Sequence, residues 1–328
     1  MTSEPSTPIT AGAAGTWKLG DREVNRLGFG TMRLTGNGMR GNSEGAPIDR
    51  ARAVGVLRRA VELGVNHIDT AAFYFSPLRS ANELINRALA PYPDDLVIVT
   101  KVGPGRSPSG EWLGMAAPGQ LRGQVEENLR QLGRDHLDVV NLRRTTQDSI
   151  AEHFGALAEL RAVGLIRHLG ISNVGPEHLA EAQAIAPVVC VQNQYGLGAQ
   201  LAGTESLLEI CGAQGIAFVP YFAIAGDRRE APTGVARTSE ARTGAARTSE
   251  VRASATPDGE VLAVARAHGA TPAQVRLAWT LHRGPHVLAI PGTGDPGHLV
   301  ENIAAGALRL SPDELARLQP PPRHSGEA

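Results

Sequence analysis

Asn66-His67-Ile68-Asp69-Thr70-Ala71-Ala72-Phe73-Tyr74 reads as a short apolar strand ending on a carboxylate, followed at once by a tight loop that carries a phenol. A buried carboxylate beside a phenol is an odd thing to build for stability alone. Leu96-Val97-Ile98-Val99-Thr100-Lys101 is a second apolar strand ending on a charge. Asp69, Tyr74 and Lys101, each at or just past the C-terminal end of its strand, make a workable acid catalyst. The ammonium and the carboxylate pair with each other, and the ammonium favours the phenolate that proton donation leaves behind. The plain structural alternative is a buried ion pair capping two strands with a tyrosine packed beside it.

Composition sharpens the first reading. Lys18 and Lys101 are the only lysines among 32 basic residues; the rest are arginines. A chain that writes arginine wherever either cation serves, yet keeps lysine at a strand end, needs a compact ammonium there. The tyrosines are as few: Tyr74, Tyr92, Tyr195 and Tyr221.

Units of apolar strand and amphipathic helix alternate outward from this stretch. Trp17 to Asn25 turns at Gly20-Asp21 as a small hairpin. Strands are expected at 26–30, 66–69, 96–101, 137–142, 166–171, 188–192, 217–221 and 286–290. Helices are expected at 48–63, 80–90, 118–132, 148–163, 176–185, 203–213, 258–268, 272–283, 296–304 and 311–318. Gly64 suits a helix C-terminus, and Ser311-Pro312 with Glu314 makes a capping box. The strands are apolar almost throughout, as parallel strands covered on both faces are. Eight such units fit a (β/α)8 TIM barrel or a doubly wound sheet. No Gly-x-Gly-x-x-Gly turn follows the first strand, and the unusual polar residues sit at the ends of many different strands, so the barrel is favoured.

Bulk properties exclude several classes. A net charge of −1 and a pI near 6.8 supply no basic field for nucleic acid or an anionic membrane. No apolar run approaches the ~20 residues of a spanning helix. The first fifteen residues are a Ser/Thr/Pro/Ala/Gly-rich leader without a signal-peptide core. Two cysteines, Cys190 and Cys211, form no disulfide framework, which points to a reduced, cytoplasmic setting. The expected organisation is a flexible leader at 1–15, one barrel domain at 16–322 and a flexible tail at 323–328.

The strand ends carry Gly30-Thr31-Met32, Asp69 with Tyr74, Lys101, Arg143, Ser172-Asn173, Gln192, Tyr221 and Pro291-Gly292-Thr293. Six motifs in order make the chain resemble the aldo-keto reductases over about residues 17–320. They are Gly64-Val65-Asn66-His67-Ile68-Asp69-Thr70-Ala71-x-x-Tyr74, Val99-Thr100-Lys101, Gly170-Ile171-Ser172-Asn173-Val174, Val191-Gln192-Asn193-Gln194-Tyr195, the run Thr271 to Trp279, and Ile290-Pro291-Gly292-Thr293 followed by His298-Leu299-Val300-Glu301-Asn302. The resemblance implies a monomeric-type barrel that binds NADP(H) across its C-terminal mouth. It implies that Tyr74 is the general acid, helped by Lys101 and Asp69, and that Ser172, Asn173 and Gln192 hold the nicotinamide carboxamide. It further implies that Tyr221 stacks on the nicotinamide, that Gly30, Thr31 and Met32 line its edge, and that segment 290–302 holds the 2′-phosphate end, with Asn302 near the adenine. The residue types agree: a carboxamide needs donors and acceptors, which Ser, Asn and Gln supply, and the start of helix 296–304 offers backbone amides to a phosphate.

Four departures matter. Where the family usually has a histidine at the end of the fourth strand, this chain has Arg143, with Arg144 beside it, in the run Asp138-Val139-Val140-Asn141-Leu142-Arg143. That run resembles the pyridoxal reductase branch. An arginine cannot shuttle protons; it holds an oxyanion or an acidic substrate group, or it pairs with a mouth carboxylate and only shapes the pocket. In the 2′-phosphate segment, Gly292, Thr293, Gly294 and Asp295 leave His298 as the cation, so NAD(H) stays open beside NADP(H), and Asp295 would repel a phosphate if it pointed inward. Ala231 to Glu240 returns as Ala241 to Glu250 with eight of ten positions identical, a low-complexity insertion at 226–257 that is either an arginine-bearing lid (Arg237, Arg242, Arg247, Arg252) or an inert duplication. After Tyr74, Phe75-Ser76-Pro77 replaces the usual glycine and alters the pocket wall, where Trp112 is a further apolar candidate.

Function follows as NADPH-dependent reduction of a small-molecule carbonyl by a monomer or weak homo-oligomer, with no metal, nucleic acid or membrane. Two alternatives stand beside it: a secondary-metabolite tailoring enzyme on the same barrel acting on one bulky substrate, with or without net redox, and a cofactor-sensing binding module.

Overall fold

A strand buried on both faces needs apolar side chains at nearly every position. Val97–Val102 meets that demand, with all six residues buried. The computed structural model describes residues 9–36, 48–200, 203–224 and 258–319. The expectations for the leader, the 226–257 insertion and the tail beyond 319 fall on residues outside this set, apart from 9–15.

Seven strands form one parallel sheet whose spatial order follows the chain: Phe29–Gly30, His67–Asp69, Val97–Val102, Leu137–Arg143, Ile166–Ser172, Val188–Gln192 and Ala217–Phe218. Segment 286–290 joins its two edges. On one side Phe218 N–H donates to His286 O and Leu288 N–H to Phe218 O, both at 2.9 Å; on the other Gly28 N–H donates to Ala289 O and Ala289 N–H to Arg26 O, also at 2.9 Å. The sheet therefore closes as an eight-stranded barrel, as expected. The seventh strand is shorter in regular pairing than 217–221, but its ladder continues irregularly as Val219 N–H meets Val191 O and Tyr221 N–H meets Asn193 O.

Helices cover the outside within a few residues of the expected bounds, from Arg50–Glu62 and Ala81–Leu89 through to Pro296–Ala304 and Pro312–Leu318. The Ser311/Glu314 capping box forms. Two α-helical starts come three residues late: Leu121–Leu132 follows a 3-10 turn at Pro118–Gln120, and Ala151–Ala162 follows a lead-in held by Glu181, which accepts from Ser149 Oγ (2.5 Å) and Ile150 N (2.7 Å).

The apolar side chains divide into three packed groups. The largest fills the space between strands and helices. A second lies inside the barrel, with Val97, Val99, Val139, Cys190, Ala217, Val219 and Leu288, and it is capped by Leu19 and Val24 of the N-terminal hairpin Thr16–Leu19/Arg22–Asn25. The hairpin thus plugs the end of the barrel opposite the strand C-termini, tied there by Asp21 Oδ1 and His168 Nε2 at 2.7 Å. The third group is Ala71, Phe73, Tyr74 and Ala81, with Met32 against them. It sits at the C-terminal mouth. Three short hairpins that the sequence did not signal rise from the same end: Phe75–Ser76/Arg79–Ser80, Pro104–Arg106/Trp112–Met115 and Tyr195–Gly196/Ala199–Gln200.

Candidate active site

Register brings the acid set together. Asp69 pairs with Val99 on the neighbouring strand, so Lys101, two residues on, faces the same way and reaches back to it. Lys101 Nζ donates to Asp69 Oδ1 at 2.6 Å and to Thr70 O at 3.0 Å. Gln192 Nε2 donates to Asp69 Oδ2 at 2.8 Å. Asp69 and Lys101 are both only 3% exposed. A buried pair survives desolvation only when its remaining valences are met, and here both carboxylate oxygens are. Among the described residues two of the three ammonium protons find acceptors, Asp69 Oδ1 and Thr70 O.

Tyr74 is 5% exposed, and its ring centroid lies 5.0 Å from Lys101 Nζ. Its backbone is held on both sides, N–H to Ala71 O and O from Ala81 N–H, each at 2.9 Å. Behind these residues runs a buried polar relay that sequence reasoning missed. Thr31 Oγ1 donates to Asp69 O (3.1 Å) and meets Thr70 Oγ1 (2.9 Å), and Thr70 Oγ1 donates to Asn82 Oδ1 (2.8 Å). Asn82 Nδ2 and Thr100 Oγ1 both donate to Asn128 Oδ1, at 2.9 and 2.5 Å. The available signal was an asparagine on the core face of each of two neighbouring helices; both are fully buried.

Further round the mouth, Ser172 is buried and pairs in register with Arg143. Asn173 takes a left-handed backbone, φ 62°. Its Oδ1 accepts from the Tyr221 hydroxyl at 2.6 Å, and its Nδ2 donates to Arg144 O at 3.3 Å. Tyr221 is thereby anchored beside Asn173. Gln192 Oε1 is buried with no hydrogen-bond partner among the described residues, so an acceptor stands open next to Asp69. Asn193, which the sequence analysis did not single out as a site residue, braces this corner by bonding both Val174 N (3.1 Å) and Val174 O (2.8 Å).

The two arginines behave differently. Arg143 is half-buried, its guanidinium carbon lies 5.9 Å from the Phe73 ring centroid, and no carboxylate among the described residues pairs with it. Arg144, expected at the substrate, instead turns its guanidinium to the carbonyls of Gln147 and Asn173, where it braces the loop. Phe75 is half-buried, and Trp112 stands exposed, its ring centroid 5.6 Å from that of Phe73 in an edge-to-face arrangement.

At the closing seam, Gly30 N–H donates to Pro291 O at 3.3 Å. A Cβ on Gly292 would come within 2.2 Å of Gly30 O, and one on Gly30 within 2.7 Å of Ile290 O. Backbone meets backbone, so a lysine at 292 would not fit. Thr293 is buried, and its Oγ1 accepts from Asp295 N–H at 3.0 Å. Asp295 departs from expectation. It caps helix Pro296–Ala304, accepting from Gly297 N–H (2.7 Å) and His298 N–H (3.2 Å), and pairs with Arg52 Nη2 at 2.5 Å. The His298 and Gly297 amides hold its carboxyl below the usual carboxylate range. Two of the amides expected to await a phosphate are therefore already occupied, and Arg52, from the first helix, is a partner of Asp295 that the sequence did not reveal. His298 is exposed and Asn302 is buried on the same helix.

Known proteins resemble this chain over nearly its whole length. Residues 26–320 match the aldo/keto reductase family. Pyridoxine 4-dehydrogenase of Escherichia coli (strain K12) is 41% identical over 313 residues, 93% of this chain and 98% of that protein. An aldo-keto reductase from Klebsiella pneumoniae in complex with NADPH superposes with a TM-score of 0.71 at 27% identity, over 94% of this chain and 96% of the other. An aldo/keto reductase of the same organism in complex with NADP and acetate gives 0.69 at 26% identity, with the same coverage. With a family match spanning nearly the whole described barrel, the chain belongs to the aldo/keto reductase family of oxidoreductases.

Proposed function

We propose that the chain reduces an aldehyde or ketone to the alcohol with NADPH, and that Tyr74 supplies the proton. The observation that carries this is the Lys101 ammonium, fixed by Asp69 and Thr70 O against the Tyr74 ring with one N–H unspent among the described residues. As Tyr74 gives its proton to the carbonyl oxygen, the phenolate that remains lies beside a fixed, dry ammonium, and no solvent need reorganise.

The residues fit the cofactor. Gln192 Oε1 is a buried acceptor without a donor, which a carboxamide N–H would satisfy, and Ser172 and Asn173 adjoin it. Tyr221, fixed through Asn173, would offer a ring face to the nicotinamide, and Gly30, Thr31 and Met32 would line its edge. Pro291, Gly292, Thr293, His298 and Asn302, with Arg52 now added, would take the adenosine 2′-phosphate end. NAD(H) is the second candidate, since Arg52 already serves Asp295. When bound, the cofactor supplies the hydride.

The substrate class we favour is an aromatic aldehyde with an acidic neighbour, pyridoxal among them. Arg143 is a half-buried cation with no carboxylate among the described residues, which suits a carbonyl oxygen or an anionic substituent. The Escherichia coli relative is named for pyridoxine. Phe75 and Trp112 supply apolar walls. Net charge offers no field for nucleic acid, and no helix among the described residues is long and apolar enough to cross a membrane. Free, buried Cys190 and Cys211 suit a reducing cytoplasm; burial pushes the Cys211 thiol up to about 12. We take the enzyme as a monomer or weak homo-oligomer.

The test is NADPH consumption with pyridoxal and a panel of aromatic aldehydes, run beside Tyr74→Phe. Loss of a general acid should slow turnover by about 10²–10⁴-fold with cofactor binding kept. A Tyr74→Phe enzyme that reduces aldehydes at the parent rate ends the assignment. Cofactor binding without consumption on any simple aldehyde shifts the reading to a dedicated tailoring enzyme.

A further inference from the structure

One guanidinium holds the main chain on both sides of Tyr74. Arg106 ends the first arm of the hairpin Pro104–Arg106/Trp112–Met115. Its Nη1 donates to Phe73 O at 2.9 Å and to Phe75 O at 3.0 Å, the carbonyls immediately before and after the tyrosine. Its Nε donates to Gly110 O in its own turn at 3.0 Å. The guanidinium carbon lies 4.5 Å from the Phe75 ring centroid and 5.4 Å from that of Trp112. Gly110 is left-handed, φ +91°, and a Cβ there would come within 2.8 Å of Arg106 Nη2, so this turn leaves room for the guanidinium only as glycine.

These contacts reach the acid through its neighbours. Trp112 meets Phe73 edge-on at 5.6 Å, and Phe73 meets Tyr74 at 5.3 Å. With Tyr74 O bound by Ala81 N–H, the three consecutive carbonyls of residues 73–75 are all engaged, two of them by Arg106. A planar fork that donates from two nitrogens while lying against two rings is a task an ammonium cannot copy. Misplacing an acid by about 1 Å costs on the order of 10²-fold in rate, so a clamp on both flanking peptides acts on turnover rather than on binding.

We propose that Arg106 is a positioning residue for the general acid, and that it couples the Trp112 hairpin to Tyr74. This rests on the assignment of Tyr74 above. The experiment uses the full chain with Arg106→Gln and Arg106→Lys, each alone and combined with Tyr74→Phe. NADPH-dependent reduction of pyridoxal, NADPH affinity by fluorescence and thermal midpoint are measured for each.

The expected result is a fall in kcat of about 10–100-fold for Arg106→Gln, with NADPH affinity within about twofold of the parent. The lysine variant recovers only part, and on the Tyr74→Phe background the Arg106 substitutions change the residual rate by less than about twofold, since there is no proton donor left to place. Parent turnover in folded Arg106→Gln overturns the proposal. So does an equal fold-loss on both backgrounds, or a loss that tracks the unfolded fraction. If Arg106→Gln does not fold, Gly110→Ala displaces the same guanidinium and is judged by the same criteria. Parent turnover in Tyr74→Phe alone overturns the acid assignment, and the clamp with it, and is distinguishable from failure of the clamp.

Discussion

Replacing Lys101 by methionine separates what the buried pair does for the fold from what it does for the chemistry. The ammonium is removed, and Asp69 is left 3% exposed with Gln192 Nε2 as its remaining side-chain donor. Breaking a buried pair from one side costs about 3–5 kcal/mol, because the surviving charge stays desolvated. At about 2.1 cal/mol/K per residue of unfolding entropy, 1 kcal/mol moves the melting point of a chain this size by roughly 1.5 °C. Lys101→Met should therefore melt roughly 4–7 °C below the parent. Adding Asp69→Asn neutralises the orphaned charge and keeps an acceptor for Gln192, so the double variant should regain most of that loss. Turnover should not return, since the phenolate of Tyr74 still lacks its cation. Calorimetry and aldehyde reduction on the parent, both single variants and the double variant complete the cycle. A Lys101→Met melting point within about 1 °C of the parent, or a double variant that recovers turnover, refutes the reasoning.

Two further outcomes follow from buried groups near the site. His67 is 1% exposed, and desolvation, only partly offset by the Asn25 backbone, takes its pKa from 6.5 down to about 4. The folded value is depressed, so the unfolded chain takes up the proton first. Its stabilisation is complete above about pH 6.5, is lost as pH falls from there toward 4, and totals about 3 kcal/mol. An NMR titration in which the His67 imidazole protonates near its ordinary value would contradict this. Gly292→Ala places a methyl 2.2 Å from Gly30 O, backbone against backbone. It should destabilise by about 1–3 kcal/mol and weaken cofactor affinity; urea midpoints and NADPH titration equal to the parent's would show that the seam has slack.

Most of the barrel is readable from sequence because parallel strands buried on both faces announce themselves as apolar runs. Leu137–Arg143 and Ile166–Ser172 fall where such runs end on a charged or polar residue. Apolarity reports burial, though, and not how many ladder bonds a segment makes. Segments 217–221 and 286–290 are equally apolar, yet one pairs regularly over two residues and the other only through isolated bridges, because they bend to close the cylinder. The hairpin bearing Trp112 was invisible for the opposite reason: Trp112, Leu113 and Gly114 are all exposed, so no alternation of period two marks it.

At the site, side chains that meet because each stands at or just past a strand end could be grouped in advance: Asp69, Lys101, Tyr74, Gln192. Residues whose role is set by a distant backbone could not. Arg106 lies in a run of Gly, Pro and Ser with no period, and its meaning comes from carbonyls 31 and 33 positions away. Arg52 looks like one more exposed helix arginine until Asp295, 243 positions on, is seen to meet it. Asp295 itself was readable. An aspartate directly before a proline at a helix start is an N-cap, and its two amide contacts follow from that pattern. Weighing it as a phosphate repellent treats a local backbone role as a long-range charge. The cap removes two amides from the helix terminus and recruits Arg52 to the rim. If segment 290–302 takes the adenosine end of the cofactor, as proposed above, substitutions at Arg52, which holds Asp295 at the start of that helix, and at His298 should weaken cofactor affinity together.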